Sequence, residues 1–260
     1  MAVNKILFNL IKEKSFSLLQ HLLCLKPESQ KSPYMKNFRF LNLIIIAALT
    51  LAMVTGCKKE KDEPETVSDA DGNIYTAVAI GQQVWLRENL KTTSYSNGDP
   101  VPQVTDETEW LNLNDGAYCS YDNNPASAIT YGMLYNWFAA TDQRNLCPDG
   151  WHVPDYNDWT TLIDFLGGEA VAGGKLKEDG IVHWKAPNTG ATDSYSFTAL
   201  PAGFRLGGAF SEPGYYAVLW SSSEADTDDG WILDILSSSE KASLEHAYKQ
   251  DGFSIRCIKD

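Results

Sequence analysis

The densest set of chemistry-bearing side chains is Glu224-Ala-Asp226-Thr-Asp228-Asp229-Gly230, where carboxylates crowd a short stretch as the ligands of a hard cation do. The glycine falls one position late for an EF-hand turn, and an acidic stretch on an acidic chain is ordinarily only solvated. Glu224, Asp226, Asp228 and Asp229 are therefore weak calcium candidates, and no metal is assigned. Asp69 to Asn73, DADGN, has too few carboxylates for such a loop and reads as a turn. Gly173-Gly174-Lys175 looks like the end of a phosphate loop, but Glu169 stands where its first glycine belongs and Leu176 where its hydroxyl belongs. His152, within the apolar GWHVP, reads as a satisfied strand or core histidine, and His183 and His246 lack partners at zinc spacing. Ser221 to Ser223 have neither a G-x-S-x-G frame nor a base nearby in sequence. The carboxylate pair of a glycoside hydrolase is set by a tertiary separation of about 5 to 9 Å, which sequence does not display. No catalytic residue and no cofactor is assigned, and a binding role is favoured over an enzymatic one.

Cys57 stands in a different setting. Met35 opens MKNFRFLNLIIIAALTLAMVTGC, with Lys36 and Arg39 as a cationic start, Leu41 to Val54 as an apolar run and small residues just before the cysteine. The run is shorter than the ~20 residues that span a bilayer, and the charges of KKEKDEPE forbid its extension. This pattern resembles bacterial lipoprotein signals. The resemblance implies cleavage before Cys57 and acylation of its thiol, anchoring the chain to a membrane at about 0.8 kcal/mol per buried CH₂. Residues 35–56 are then the signal, 57–68 a charged flexible tether and 69–260 the domain, while 1–34 is a doubtful extension upstream of the true start. KKEKDE is also similar to the address that follows the lipidated cysteine of surface-exposed lipoproteins in Bacteroidota. It implies an outer-membrane lipoprotein exposed at the cell surface.

Of 21 Lys and Arg, 14 follow Cys57, against 32 of the 34 Asp and Glu, which leaves that part of the chain at −18. Such a charge repels phosphate backbones, so nucleic acid is excluded as a partner. The eight tryptophans all follow residue 84, a composition suited to a packed core. Setting aside Cys24 in the doubtful leader and Cys57, three cysteines remain: Cys119, Cys147 and Cys257. One pair and one free thiol is the simplest arrangement in an oxidising compartment.

The elements that would position these residues begin with strands at Ile74 to Ile80 and Gln83 to Leu86, joined at Gly81-Gln82. Asp106 to Leu111 reads as a short helix capped by Thr105, and YGMLYNWFAA, 131 to 140, as a buried helix. The clearest helix has Asp155 as its N-cap, an apolar stripe of Trp159, Leu162, Ile163 and Leu166, and a stop at Gly167-Gly168. Strand-like runs follow at Ser196 to Leu200, Tyr216 to Ser221, Trp231 to Leu236 and Phe253 to Ile258, so the order favours an α+β fold.

GQQVWLRENL (81 to 90), YGMLYNWFAA, CPDGWHVPDYNDW (147 to 159), ALPAGFR (199 to 205), LWSSSE (219 to 224) and GFSIRCIKD (252 to 260) resemble the Fibrobacter succinogenes major paralogous domain. That family occurs on secreted and lipid-anchored bacterial proteins, and its biochemical role is not established. More distantly, the GWHVP unit with its helix and the terminal GFSIRC resemble formylglycine-generating enzymes and C-type-lectin-like domains. The resemblance implies a single C-type-lectin-like domain with paired terminal strands, two helices and long loops. It also implies a Cys147–Cys257 disulfide, although spacing leaves Cys119–Cys257 open. The oxidase chemistry fails at its own residues, since 220 to 251 contain no cysteine. The calcium-lectin chemistry also departs, with Gly214 in place of a ligating amide after Glu212-Pro213, and Ser221 and Ser222 after Trp220.

A binding or adhesion domain for a glycan or a surface or host protein is the expectation, with Trp184, Tyr215 and Tyr216 as candidate ligand-binding aromatics. A polysaccharide-acting enzyme or a structural subunit of a surface assembly are the alternatives.

Overall fold

The computed structural model describes residues 64–260. The expected extension, signal, lipidated Cys57 and most of the tether lie outside the described residues. The tether expectation does reach the structure at its end, where Thr66–Ser68 is a strand, β1, paired and still largely exposed, rather than flexible chain.

The Ile74–Ile80 strand, β2, turns at Gly81 and Gln82 into Gln83–Leu86, β3, with Ile80 paired to Gln83. Gly81 has φ +65, which glycine adopts without strain, and a Cβ there would press on the Phe165 ring. β1 pairs with β2, and the last strand, Ile258–Lys259, pairs with both β3 and Trp151–His152. Calling Tyr118–Cys119 β4, Leu134–Tyr135 β5 and Trp151–His152 β6 makes the final strand β12, and this sheet runs β1-β2-β3-β12-β6, antiparallel throughout. The first and last strands of the described chain thus share one sheet, and Glu65 accepts from Lys259 at 2.7 Å.

Cys147 and Cys257 are bonded, with Cα atoms 6.0 Å apart, and Cys119 is free and buried. Closing a loop of 110 residues is worth about 4 to 5 kcal/mol in the chain-entropy account. Burial pushes the Cys119 thiol up to about 11, so it stays protonated and unreactive.

A second, three-stranded sheet has the order β11-β10-β9, built from Tyr216–Glu224 (β9), Asp229–Leu236 (β10) and Ala242–Tyr248 (β11). A small hairpin, Phe204–Leu206 (β7) with Ala209–Ser211 (β8), packs beside it. The helices are short: α1 Glu107–Leu111, α2 Pro125–Tyr131, α3 Trp137–Ala140, α4 Tyr156–Phe165 and α5 Glu169–Leu176. Among the described residues the fold is mixed helix and sheet, mostly strands, with five short α-helices where two were expected.

α4 follows its expected plan. Asp155 and Asp158 form a reciprocal capping box, and Trp159, Leu162, Ile163 and Leu166 enter the core, where Trp159 stacks on Trp85 at 4.7 Å. Two other helix expectations need correction. α1 is capped by Asp106, whose carboxylate accepts from Glu109 N–H, and not by Thr105. The 131 to 140 run is three pieces, because Gly132 has φ +81 and ends α2, while Asn136 caps α3 after the β5 bridge. A Cβ at Gly132 would crowd Leu90 O at 2.6 Å, so this break is built into the packing. Gly173 and Gly174 are also packing glycines. Cβ atoms there would overlap the Lys241 and Gly190 carbonyls, where α5 meets β11 and the 188–190 loop backbone to backbone. Ser196 to Leu200 is loop with a single bridge at Ala199, and Phe253 to Ile258 pairs through isolated bridges before β12.

Several cations are buried, and carbonyl oxygens hold them. Lys177 Nζ donates to Thr189, Leu236 and Ser239 carbonyls at 2.7 to 2.9 Å, and desolvation pushes it down to about 8. Arg205 donates to the carbonyls of Gly208, Val104, Thr105 and Asp106 and stacks on Trp110. Arg256 donates to Asn89 Oδ1 and Phe197 O. Each side chain ties loops distant in sequence to one point.

Candidate functional site

The three expected aromatics separate. Trp184 is 1% exposed, with its indole N–H on Ala199 O at 2.9 Å and the Lys177 ammonium over its ring. It is a core residue and no ligand platform, which corrects the expectation: the backbone of its loop does meet the Tyr215 loop through Lys185 N–H and Gly214 O, but the side chain turns inward to satisfy its N–H. Tyr215 is 44% exposed and lines a recess of about 340 Å³ with Ala186, Pro187 and Glu212. Tyr216, half-buried, borders both this recess and a larger groove.

The acidic loop carries its own cation. Lys249 Nζ donates to Glu224 Oε1 at 2.5 Å, Asp226 O at 3.0 Å and Thr227 O at 2.6 Å, and lies over the Trp137 ring. Asp226 Oδ1 accepts from the N–H groups of Asp228 and Asp229, which holds its carboxyl below the usual range. Asp229 Oδ2 meets His246 Nδ1 at 2.6 Å. Gly230, the misplaced turn glycine of the calcium reading, is a strand residue that leaves room for the Trp137 indole. Among the described residues no group of three His, Cys, Asp or Glu side chains converges as metal ligands do.

His152 of β6 is also structural. Its ring bridges Asp260 at 2.7 Å and Asp158 at 3.2 Å, and the Asp158 bond, opposed by burial and aided by Asp260, raises it to about 9. His183 Nδ1 sits 2.9 Å from Glu178. Ser223 Oγ accepts from Tyr156 N–H at the start of α4, which occupies the serine cluster in scaffolding.

The larger groove, about 750 Å³, opens on one face of the β9–β10–β11 sheet. Alternation in the strands builds it. Tyr216 and Val218 of β9 lie beside Leu236 and Asp234 of β10, and Ile232 and Asp234 occupy alternate positions of one strand face. Phe204 and Leu206 of β7, and Phe253, complete apolar walls, while Tyr248 stands at the rim, 64% exposed. The lining is mostly apolar with carboxylates set into it. Desolvation, with Glu245 nearby, pushes Asp234 up to about 6. Desolvation also pushes Asp251 up to about 6, against the hydrogen bond it accepts from Gly207 N–H at 3.2 Å. Asp234 Oδ1 and Asp229 Oδ1 are buried, and among the described residues no donor sits within hydrogen-bond distance of either, although the Ile235 N–H lies close enough to the Asp234 carboxyl to oppose its rise. Most buried polar atoms are paired; seven described side-chain atoms are not, among them Trp159 Nε1 in the core, and these two are the ones on residues that line the groove.

Sequence reading did not find this groove, since Leu111, 204–207, 216–218, 229–234 and 246–253 meet only in three dimensions. One local signal existed: Asp234 interrupts the otherwise apolar run WILDIL, where a buried strand has no ordinary use for a carboxylate.

One strand edge beside the groove has no strand partner, although α5 packs against the start of its strand. The outer edge of β9 is covered, with Trp220 N–H on Ser254 O, Ser254 N–H on Val218 O and Gly203 N–H on Tyr216 O. β11 ends its sheet, and among the described residues no second strand pairs with it.

Compared with known proteins, the chain matches the family model described as Fibrobacter succinogenes major domain over residues 78–259. No curated protein and no solved structure matches it.

Proposed function

The chain belongs to the Fibrobacter succinogenes major domain family, and we propose that it is a noncatalytic recognition domain, held at the outer cell surface by lipid on Cys57, that grips a protein ligand in the β9–β11 groove. The observation that carries this reading is the apolar groove lying next to the unpaired edge of β11. Its volume falls within the usual range of ligand sites, and an edge without a strand partner offers main-chain hydrogen bonds that a polypeptide can use. A glycan ligand fits less well, since Trp184, the largest candidate stacking ring, is in the core. The lectin-like scaffold and the surface address rest on residue likeness, and they agree with a binding role.

A panel of purified extracellular proteins and a glycan array, probed with the full-length chain in detergent, test the proposal. Binding to proteins that is lost in the rim variant Leu206→Ser/Tyr248→Ser is the expected result. Binding confined to glycans, or indifferent to the rim, overturns it. Protease shaving of intact cells and loss of fatty-acid labelling in Cys57→Ser test the location.

A second reading, hydrolysis of a polysaccharide, draws on Asp234 and Asp251 lining one groove with raised pKa values. It predicts release of reducing ends that both Asp234→Asn and Asp251→Asn abolish. No release from any plant, algal or bacterial polysaccharide tested ends it.

A further inference from the structure

The carboxylates of the groove define what kind of side chain the protein ligand brings. Asp229, Asp234 and Asp251 all line it. Two of them keep a buried oxygen with no donor among the described residues, so little in the fold offsets their negative charge. The nearby ionisable groups do not relieve this. Glu245 adds negative charge beside Asp234, Asp229 adds it beside Asp251, and His246 is engaged by the other oxygen of Asp229. Lys249 is spent on Glu224 and the 226–227 carbonyls, and Arg205 on four carbonyls. Among the described residues, the groove is lined by three carboxylates and by no Lys or Arg, and its one histidine, His246, is already held by Asp229. Around those acceptors the walls are Phe204, Tyr216, Val218, Ile232 and Phe253, which suit the methylene stem of a long basic side chain. The chain as a whole is acidic, at −13 over its full length, which favours approach of a basic segment.

Resting on the protein-binding reading above, we propose that the ligand is an extended basic segment of a partner protein, lying along the unpaired edge of β11 and placing a lysine or arginine in the groove against Asp234 and Asp229. Main-chain bonds to the edge hold the segment in line, the apolar walls take the stem, and the charged head meets the negative charge of the Asp234 and Asp229 carboxylates.

The test is selection of a random peptide library displayed on cells against the full-length chain in detergent, followed by fluorescence anisotropy on the enriched peptides. The expected result is enrichment of Lys or Arg flanked by apolar or β-branched residues. Affinity is then expected to fall about tenfold or more in Asp234→Asn, to weaken with added salt, and to be lost in Leu206→Ser/Tyr248→Ser. Circular dichroism melting of each variant confirms that it is folded. Enriched peptides without basic residues, or basic peptides that bind Asp234→Asn as well as the parent, overturn the inference and leave the protein-binding reading standing. Enrichment of nothing that depends on the rim residues overturns both.

Discussion

Lys177 and Asp234 meet the same strand, β10, in opposite ways. The ammonium of Lys177 reaches the carbonyl of Leu236 and two more from neighbouring loops, so a buried charge is fully surrounded by acceptors. The carboxylate of Asp234, two residues earlier, keeps an oxygen that no donor among the described residues reaches and a pKa pushed up by burial. Arg205 repeats the first pattern, and Asp229 shares the second through its own orphan oxygen. Where charge staples loops, the fold satisfies it. At the groove the pairing is partial: Asp229 keeps one oxygen on His246 and Asp251 accepts from Gly207, while one oxygen each of Asp234 and Asp229 has no donor among the described residues.

Lys177→Met gives the largest test of this contrast. It leaves three buried carbonyls unmet and is expected to cost about 3 kcal/mol in urea unfolding. A loss well under 1 kcal/mol would show that the staple is ornamental. Lys249→Met comes next, at about 1 to 2 kcal/mol, because Glu224 and the 226–227 carbonyls lose their cation at a partly exposed loop. If the ammonium stands in for a metal, calcium should raise the melting temperature of this variant and leave the parent unchanged.

Asp234→Asn is expected to reverse the sign and stabilise the fold at pH 7 by on the order of 1 kcal/mol. The folded pKa, about 6, lies above the unfolded 3.8. The penalty of the charged carboxylate is absent below the lower value, grows between the two and is complete above the higher. The gain from Asn should therefore shrink toward pH 4, and a gain that is constant with pH would remove the electrostatic explanation.

The smallest effect is expected for His152→Gln. With its pKa raised from 6.5 to about 9, His152 contributes stability that is fully present below 6.5 and lost as pH rises through about 9. The ring is 42% exposed, so screening keeps this contribution well under the full linkage value. The difference in melting temperature between parent and variant should narrow from pH 6 to pH 10.

Local chemistry made parts of this fold legible in the sequence. Asp155 with the Trp159, Leu162, Ile163, Leu166 stripe defined α4, and Gly81-Gln82 between β-rich runs defined the β2–β3 hairpin. The 131 to 140 run was misread because it is apolar nearly all round, so periodicity could not separate helix from bridge. Its punctuation, Gly132 and Asn136, mattered more than its hydrophobicity. Trp184 was misread because an aromatic in a polar loop looks exposed until the loop folds over it. The groove was invisible for a different reason. Its carboxylates and walls come from five segments, and only the unusual Asp234 within WILDIL hinted at it.

The placement of the disulfide has a mechanical meaning for a domain that is pulled. A tensile load that enters at Glu65 and is resisted at the groove acts first on β1, whose three residues peel from β2 pair by pair. Beyond that, the chain drawn out along this route ends at Cys147, because residues 147–257 form a covalent ring. Every groove residue from Phe204 to Phe253 lies inside that ring. The crosslink thus bounds how far the groove strands can be drawn apart, while Leu111 and the segments that brace them, Val104 to Asp106 and Tyr135, lie on the extensible side of Cys147.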